Sequence, residues 1–251
     1  MTQAQALPDT WVSKSRNACA TCNLRAGCLP AELEGGELAQ FGNLVSPRHR
    51  VSRGQALYRA GDPLEALFVV RSGSLKSVMT DEEGRAQIMG FFLAGEALGV
   101  DAIDSDTHLS SMIALEDSEV CRIPYAGLQR LSLQLRSLSG QLNHIMSREI
   151  ARGYNVMMLL GRMHAEERLA TFLLNLSQRL TARGFSESEF VLRMTREEIG
   201  SYLGLKLETV SRVFSKFQSE DLVLVRQKHI HINNISGLRA MLTAAGSSAP
   251  E

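Results

Sequence analysis

Residues 126–161, AGLQRLSLQLRSLSGQLNHIMSREIARGYNVMMLLG, repeat their apolar side chains at helical spacing. In the first half leucine recurs at alternating intervals of three and four residues, which is typical of one apolar helix face: Leu128, Leu131, Leu135, Leu138 and Leu142. A helix over this stretch is roughly 50 Å long at 1.5 Å per residue, which exceeds one small domain. We expect it to join two domains and to pair with a second copy of itself. A single helix buried in one core is the alternative.

The apolar stripe continues into the second half of this stretch. We predict that it forms the dimerisation face, with these members: Met146, Ile150, Gly153, Met157 and Leu160.

The chain has 251 residues, which is enough for two domains with separate cores. Its 27 basic and 27 acidic residues balance, but residues 147–251 carry 14 basic and 11 acidic side chains, a sign compatible with nucleic-acid binding. Residues 1–17 are polar and irregular and are interpreted as a mobile arm. No run of 18 apolar residues and no basic-then-apolar leader is present, so we expect a cytoplasmic protein with no membrane partner and no structural disulfides.

Three cysteines lie close together near the N-terminus. Cys19 and Cys22 form a Cys-x-x-Cys pair, Cys28 follows after five residues, and Cys121 lies 93 residues further on. Local thiolates on a short turn can converge on one soft metal centre, and three clustered cysteines with a distant fourth favour an iron–sulfur cluster between this arm and a folded body. Zinc is one alternative, and redox-active or incidental thiols are the other.

From Leu44 to Pro124 the pattern changes to short alternating runs separated by glycine. Such runs are typical of an antiparallel β-barrel or sandwich, and a small barrel often encloses a ligand. Residues 81–84 are a predicted hairpin tip. Cys121 lies in the predicted last strand, directly before the long helix, so a metal bound there would be joined to that helix. The alternative is that Cys121 is a small buried side chain.

A helix-turn-helix is the strongest local signal in the C-terminal part. Thr195 and Glu198 form a predicted capping box at the start of one helix, and Gly204 opens a tight turn. A second helix follows at 208–218, with Val210, Phe214 and Phe217 as its buried face. Strands at 222–225 and 229–232 then add a wing, in which we expect the two histidines to be exposed rather than metal ligands.

The outer face of the second helix carries side chains suited to a DNA major groove. Arg212 can donate two hydrogen bonds to guanine, Glu208 can accept from cytosine, and Ser211 can bond either kind of base edge. A solvated face in which Glu208 pairs with Arg212 is the alternative, but the preceding cap and turn favour DNA binding. Lys216 is better placed for phosphate. The predicted DNA-binding residues are Glu208, Thr209, Ser211, Arg212, Lys216 and Arg196, the last also for phosphate.

Three pieces of the β-rich part resemble the regulatory domain of the bacterial cyclic-AMP receptor family: Gly61-Asp62, Val70–Leu75 and Leu93–Gly99. Members that bind a cyclic nucleotide carry Arg-Ser or Arg-Thr about ten residues after the last piece, where the pair holds the phosphate. This chain has THLSS at 107–111, with no arginine there, and so lacks the charge-assisted contact. We therefore do not expect a cyclic nucleotide to bind, although the serines and backbone amides could hold a weaker ligand.

Over nearly its whole length the chain resembles the oxygen-responsive fumarate-and-nitrate-reduction branch of that family. The resemblance rests on the four cysteines, on AEERLA at 165–170 and on GSYLGLKLETVSR at 200–212. It implies a [4Fe–4S] cluster that is held by Cys19, Cys22, Cys28 and Cys121 and is intact without oxygen. It also implies a homodimer that binds a two-fold symmetric DNA site of the TTGAT…ATCAA type and releases it when oxygen degrades the cluster. Contacts with RNA polymerase would come from surface loops, with 80–85 and 118–119 as candidates.

One position departs from that branch. Its members place an aspartate in the apolar stripe of the long helix, where like charges from two copies oppose association unless a cluster rearranges the helix. Gly153 occupies the stripe here. Glycine costs a helix up to about 1 kcal/mol relative to alanine but removes this repulsion. We therefore expect this chain to dimerise without a cluster more readily than the resemblance implies.

These patterns predict an α+β protein with four parts: a cysteine-rich arm (1–30), an antiparallel β-barrel like a cyclic-nucleotide-binding domain (31–125), a dimerisation helix (126–162) and a winged helix-turn-helix (163–251). The expected function is oxygen-responsive transcription regulation. A regulator of the same fold triggered by thiol redox, zinc or a small barrel ligand is the alternative. An iron–sulfur or dithiol enzyme is disfavoured, because the C-terminal part offers no nucleophile–base constellation.

Overall fold

The computed structural model describes residues 19–244, so the arm predicted at 1–17 lies outside the described residues. The chain divides into two compact units. Among the described residues, the first comprises 19–76 and 91–145, and the second comprises 77–90 and 146–244. Between residues 19 and 244, no helix combines the length and apolar character needed to cross a lipid bilayer.

Short antiparallel strands follow the first helix, α1 (Gly35–Leu44). They are β1 (Ser46–Val51), β2 (Ala56–Tyr58), β3 (Ala66–Ser72), β4 (Ser74–Thr80), β5 (Ala86–Leu93), β6 (Ala97–Leu98), β7 (Ser111–Ala114) and β8 (Ser118–Pro124). These strands form two four-stranded sheets, with orders β1-β8-β3-β6 and β2-β7-β4-β5. The predicted antiparallel architecture is confirmed. The arrangement is jelly-roll-like rather than a closed barrel, because the edge strands of one sheet do not pair with those of the other.

The predicted hairpin tip at 81–84 is also confirmed. It joins β4 to β5, and the Asp81 N–H donates to the Arg85 carbonyl at 3.1 Å. The side chains of the same two residues pair at 2.7 Å. Gly84 has φ +80°, a conformation that glycine adopts without strain.

The helix predicted as continuous over 126–161 is broken. It consists of α2 (Tyr125–Gln134) and α3 (Arg136–Arg162), separated by Leu135 with φ −111° and ψ 104°. No proline or glycine marks the break. The change of direction brings Leu128 and Leu138, both 0% exposed, into one core cluster, so tertiary packing decides the helix boundary.

The front half of the leucine stripe therefore packs within the first unit. Leu128 and Leu138 share a core with Leu29 and Leu33 from the loop that carries the cysteines, and with Phe41 from α1. The remaining leucines of the stripe are partly buried against the same cluster. This core fixes the cysteine loop to the start of the long helical segment.

Asp101 closes the loop at 107–111. Its carboxylate accepts hydrogen bonds from the backbone N–H groups of Leu109 and Ser110, both at 3.1 Å, and from the Ser110 hydroxyl at 3.0 Å. His108 is 4% exposed, stacks on Tyr58 with ring centroids 3.6 Å apart, and places Nδ1 3.5 Å from Asp101 Oδ1. Burial pushes the pKa of Asp101 upward, but the hydrogen bonds of His108 and Ser110 outweigh it and hold the pKa below its ordinary value.

The second unit contains the predicted helix-turn-helix and wing. Its elements are α4 (Ala165–Thr181), β9 (Glu189–Val191), α5 (Arg196–Leu203), α6 (Leu207–Ser219), β10 (Val223–Arg226), β11 (His229–Ile232) and α7 (Ile235–Ala244). The strands form an antiparallel sheet in the order β10-β11-β9, and α4 packs against α6 and α7. The hairpin at 77–90 contacts α5, where the Ile88 N–H donates to Ser201 Oγ at 3.0 Å.

Replacing Asp101 by alanine leaves the donors of the 107–111 loop without their acceptor. We expect Asp101→Ala to lower the free energy of unfolding at neutral pH by about 1–3 kcal/mol, measured by urea denaturation. Because the folded-state pKa lies below 3.8, the carboxylate stabilises the fold above that pH, and the gain is lost as the pH falls through the folded-state pKa. The control is Asp104→Ala, at an exposed position nearby. Equal stability of both variants at pH 7 would contradict this role.

Candidate metal centre and nucleic-acid interface

The cysteine loop is a series of turns with a period of three residues. The N–H groups of Cys22, Arg25, Cys28 and Ala31 each donate to the carbonyl three residues earlier, at 3.1–3.4 Å. Residues 25–27 form a 3₁₀ helix within this series. The side chains of Cys19, Cys22 and Cys28 all line one pocket, so the loop presents its three thiols at the same place.

The fourth cysteine reaches the same place from the sheet. Cys121 lies in β8, opposite Val69 of β3. A single pocket is lined by all four cysteines, by two arginines and by apolar side chains: Cys19, Cys22, Arg25, Cys28, Pro30, Phe41, Val45, Val69, Arg71, Cys121 and Ile123. The structure thus brings together the sulfur atoms that were separated by 93 residues of sequence.

Burial and mutual repulsion disfavour thiolates in this pocket. Burial raises the pKa of Cys19 to about 11 and that of Cys28 to about 12, and the charges of neighbouring cysteines raise both further. Burial also raises the pKa of Cys121, while Arg71 opposes the shift. Ligand thiolates therefore need a strong positive charge close by, and a metal centre is such a charge.

The donor set of this pocket consists of four cysteines. Among residues 19–244, no three His, Cys, Asp or Glu side chains converge as a group that could hold a single metal ion. A single zinc ion needs sulfur atoms at about 2.3 Å from its centre. An iron–sulfur cluster spreads four thiolates around a larger core, and cysteine is the ligand such clusters use. The donor set and the shared pocket therefore fit a cluster.

Two arginines in the pocket wall were not identified as site residues from the sequence. Arg71 lies near the end of β3 and approaches Glu119 at 3.9 Å. Arg25 lies in the cysteine loop. Its spacing of three residues from both Cys22 and Cys28 is the signal that could have identified it.

The helix-turn-helix is held by caps and a close approach in its turn. Thr195 Oγ1 accepts from the Glu198 N–H at 3.1 Å, and the Glu198 carboxylate accepts from the Thr195 N–H at 2.6 Å, which confirms the predicted capping box. Gly204 has φ +63° at the end of α5. A Cβ at Gly200 would lie 2.6 Å from the Leu205 carbonyl oxygen, so the turn requires glycine there.

Arg168 fixes the base of this motif within the second unit. Its guanidinium donates to the carbonyls of Leu203 at 2.9 Å, Met163 at 2.9 Å and Leu160 at 3.0 Å. The C-terminal ends of α3 and α5 are thus held by one side chain.

The predicted face of α6 is available to a ligand. Glu208 and Arg212 are exposed, Thr209 and Ser211 are partly exposed, and the predicted inward residues Val210, Phe214 and Phe217 are buried. The alternative of a Glu208–Arg212 ion pair is not realised, since neither side chain forms an ion pair within the described part of the chain. Both remain free to bind base edges.

The two predicted phosphate contacts are partly engaged within the unit. Lys216 Nζ lies 2.6 Å from a carboxylate oxygen of Glu166, an interaction that sequence alone did not indicate. The hydrogen bond to Glu166 raises the pKa of Lys216. The guanidinium carbon of Arg196 lies 5.4 Å from the centre of the Phe214 ring.

In the wing, Ile230 and Ile232 are buried, while His231 Nδ1 pairs with a carboxylate oxygen of Glu189 at 2.9 Å.

The rear half of α3 carries an apolar face with little cover in the chain. Ile150, Met157 and Leu160 of the predicted dimer face are 57%, 65% and 37% exposed, and Gly153 is exposed between them. Tyr154, which was not predicted, is 63% exposed and lies on the same side as Ile150 one turn away. Met146 is partly buried. An exposed apolar stripe of this kind marks an interaction surface.

The two candidate loops for RNA polymerase differ. Residues 81–85 form an exposed hairpin tip. Ser118 is 3% exposed and lies in β8, so the expectation of a surface loop is wrong for it. A strand position packed inside a sheet sandwich cannot present its side chain to a partner.

Comparison with known proteins gives matches over both parts of the chain. Residues 48–134 match the cyclic nucleotide-binding domain family, and residues 167–241 match the Crp-like helix-turn-helix domain family. The chain is 48% identical to the transcriptional regulatory protein btr of Bordetella pertussis, covering 89% of this chain and 93% of the relative. It is 44% identical to the fumarate and nitrate reduction regulatory protein of Escherichia coli, with 88% of each covered.

Among solved structures, FixK2 from Bradyrhizobium japonicum is similar with a TM-score of 0.72 and 28% identity, covering 77% of this chain and 96% of that chain. The resemblance identified from the sequence is confirmed. The shared fold has an N-terminal β domain, a long helix and a C-terminal helix-turn-helix. The chain therefore belongs to the Crp/FNR family of DNA-binding transcription regulators, which are not enzymes.

Proposed function

We propose that this regulator responds to oxygen through a [4Fe–4S] cluster held by Cys19, Cys22, Cys28 and Cys121. It binds DNA as a homodimer, at a two-fold symmetric site of the TTGAT…ATCAA type, when the cluster is intact. RNA polymerase is the expected further partner. The observation that carries the proposal is the convergence of all four cysteines of the chain on one pocket.

A cluster in this pocket supplies an oxygen-labile, positively charged iron core. The cysteines bind it, and the apolar residues of the wall limit the access of water. The high pKa values of Cys19 and Cys28 keep both thiols protonated near neutral pH when no metal is bound, so binding of a metal centre must release their protons.

The proposed signal passes from the pocket along the chain. Cys121 lies four residues before the start of α2 at Tyr125. Leu29 and Leu33, next to the cysteine loop, share a core with Leu128 and Leu138. A change in the loop therefore alters the packing at the start of α2 and α3, and α3 carries the exposed apolar face through which we expect two copies to pair.

The α6 face supports the DNA-binding part of the proposal. Arg212 is exposed and unpaired among the described residues, and its guanidinium can donate two hydrogen bonds to guanine O6 and N7. Glu208 lies one turn earlier on the same helix and can accept from a cytosine amino group. Lys216 and Arg196 are the proposed phosphate contacts, and Lys216 must leave Glu166 to make its contact.

The alternative of a nucleotide ligand in the β domain is disfavoured. The backbone and hydroxyl donors at 109–110 are bound by the Asp101 carboxylate. A phosphate at this loop would be repelled by that carboxylate and would find no arginine within 107–111.

Removing one proposed cluster ligand should abolish the cluster and weaken DNA binding. We expect anaerobically purified Cys121→Ser to lack the visible absorbance of the wild type and to bind a TTGAT…ATCAA duplex about 10–100-fold more weakly. Absorption spectroscopy and fluorescence anisotropy measure the two effects, and far-UV circular dichroism checks that the variant is folded. A Cys121→Ser protein with wild-type absorbance and wild-type operator affinity would contradict the proposal.

Removing the guanidinium of Arg212 should weaken specific binding and relax the sequence preference at one base pair. We expect Arg212→Ala to lose about 1–3 kcal/mol of binding free energy, which is about 10–100-fold in Kd. Anisotropy with the intact duplex and with single-base variants measures both effects. The control is Arg130→Ala on α2, where the arginine is also exposed. If Arg212→Ala binds every duplex as the wild type does, Arg212 does not bind a base.

A charge in the apolar stripe of α3 should make dimerisation depend on the cluster. No atom lies within 4 Å of a Cβ built at Gly153, so either a neutral or a charged side chain fits within the chain. At micromolar concentration we expect the cluster-free wild type and Gly153→Ala to retain more dimer than cluster-free Gly153→Asp, which dissociates through repulsion between like charges. Sedimentation velocity measures the distribution. A cluster-free wild type that is wholly monomeric would refute the role given to Gly153.

A further inference from the structure

Arg25 occupies a position in the cysteine loop that is equivalent to the positions of the ligands. The hydrogen bonds from Cys22 to Cys19, from Arg25 to Cys22 and from Cys28 to Arg25 repeat every three residues. The Arg25 side chain lines the same pocket as the three cysteines of the loop.

The guanidinium has one fixed contact and one unused donor. Nη2 donates to the Leu33 carbonyl at 2.6 Å. Nε is buried and has no hydrogen-bond partner among the described residues. A buried N–H without an acceptor costs about 1–3 kcal/mol, and a bound group with an acceptor facing Nε would remove that cost.

The charge of Arg25 is also unmatched. The second arginine of the pocket, Arg71, lies 3.9 Å from the Glu119 carboxylate. Arg25 forms no ion pair with any residue that the structure describes. The surrounding wall contains Phe41, Val45 and other apolar side chains, and an apolar wall offers a cation no stabilisation.

A group that would satisfy both requirements is a negatively charged one bearing hydrogen-bond acceptors inside the pocket. Four cysteine thiolates around a metal–sulfur core provide this, since sulfur accepts hydrogen bonds and the whole group is anionic. Hydrogen bonds to the sulfur atoms of a cluster are one of the means by which a protein tunes its stability and potential.

We propose that Arg25 is a positioning residue for the cluster, which donates its Nε–H to a sulfur atom of the metal–sulfur group and balances part of its negative charge. The proposal rests on the proposed function, because it requires a cluster in the pocket. Arg25 is not a ligand. It acts on the ease with which the bound group loses an electron, since a nearby cation and N–H donor favour the more negative state.

The test compares anaerobically purified wild type, Arg25→Gln and Arg25→Lys. The matched control is Arg59→Gln, which changes an exposed arginine of the same unit outside the pocket. One readout is the rate at which the visible absorbance decays after exposure to air. A second readout is the set of Fe–S stretching bands in anaerobic resonance Raman spectra, which a hydrogen bond to sulfur alters and a remote structural defect does not.

We expect Arg25→Gln to bleach about tenfold faster than the wild type and to show shifted Fe–S bands. Arg25→Lys keeps the charge but lacks Nε–H, so we expect an intermediate decay rate. Arg59→Gln should match the wild type in both measurements. Iron content per chain, measured before exposure to air, normalises the rates.

Two results would overturn the proposal while leaving the cluster in place. One is an Arg25→Gln protein that bleaches at the wild-type rate. The other is a loss of iron with unchanged Fe–S bands in the loaded fraction, which would show that Arg25 only holds Leu33. A wild type that contains no iron and no visible chromophore would instead contradict the proposed function itself.

Discussion

The partial burial of four cysteines around one pocket is the constraint on which the proposed sensing role depends. The cysteines enclose one pocket, and burial together with the charges of neighbouring thiolates raises the pKa values of Cys19 and Cys28 far above the ordinary thiol range. Four thiolates can coexist there only around a positive core. The pocket can therefore hold its cysteines in two forms, as neutral thiols or as thiolate ligands of a metal centre, and we infer that these are its two states.

The cysteine pocket is joined through the fold to the helices that precede the helix-turn-helix. The loop that carries three of the proposed ligands is continuous with Leu29 and Leu33, which pack on Leu128 and Leu138 at the beginning of the helical segment. The fourth proposed ligand, Cys121, lies in β8, which leads directly into α2. Two independent connections thus join the pocket to the same helices. The far part of α3 presents its apolar stripe, and Arg168 holds the end of α3 against the helix-turn-helix.

In the β domain, the Asp101 carboxylate accepts hydrogen bonds from the donors that a small anion would need. The cysteine pocket is therefore the proposed point of control.

Local patterns in the sequence predicted the elements whose stability is local. The capping box of Thr195 and Glu198, the left-handed Gly204 and the buried stripe of α6 involve residues a few positions apart, and all are present.

Several features that depend on residues distant in the sequence were missed. The leucine repeat runs through Leu135 without interruption, so the break there is visible only once the core around Leu128 and Leu138 is known. Lys216 is engaged by Glu166, fifty residues away, and Ser118 is buried because β8 lies inside a sheet. Cys121 could be assigned to the cluster through the family resemblance, whereas its place in the pocket depends on the pairing of β8 with β3.

The most direct test is a determination of iron and acid-labile sulfide in protein purified without air, combined with Mössbauer spectroscopy. The account predicts about four iron and four sulfide per chain in a single [4Fe–4S] environment. One zinc per chain with neither iron nor sulfide, or a metal-free protein that binds its operator with full affinity, would contradict it.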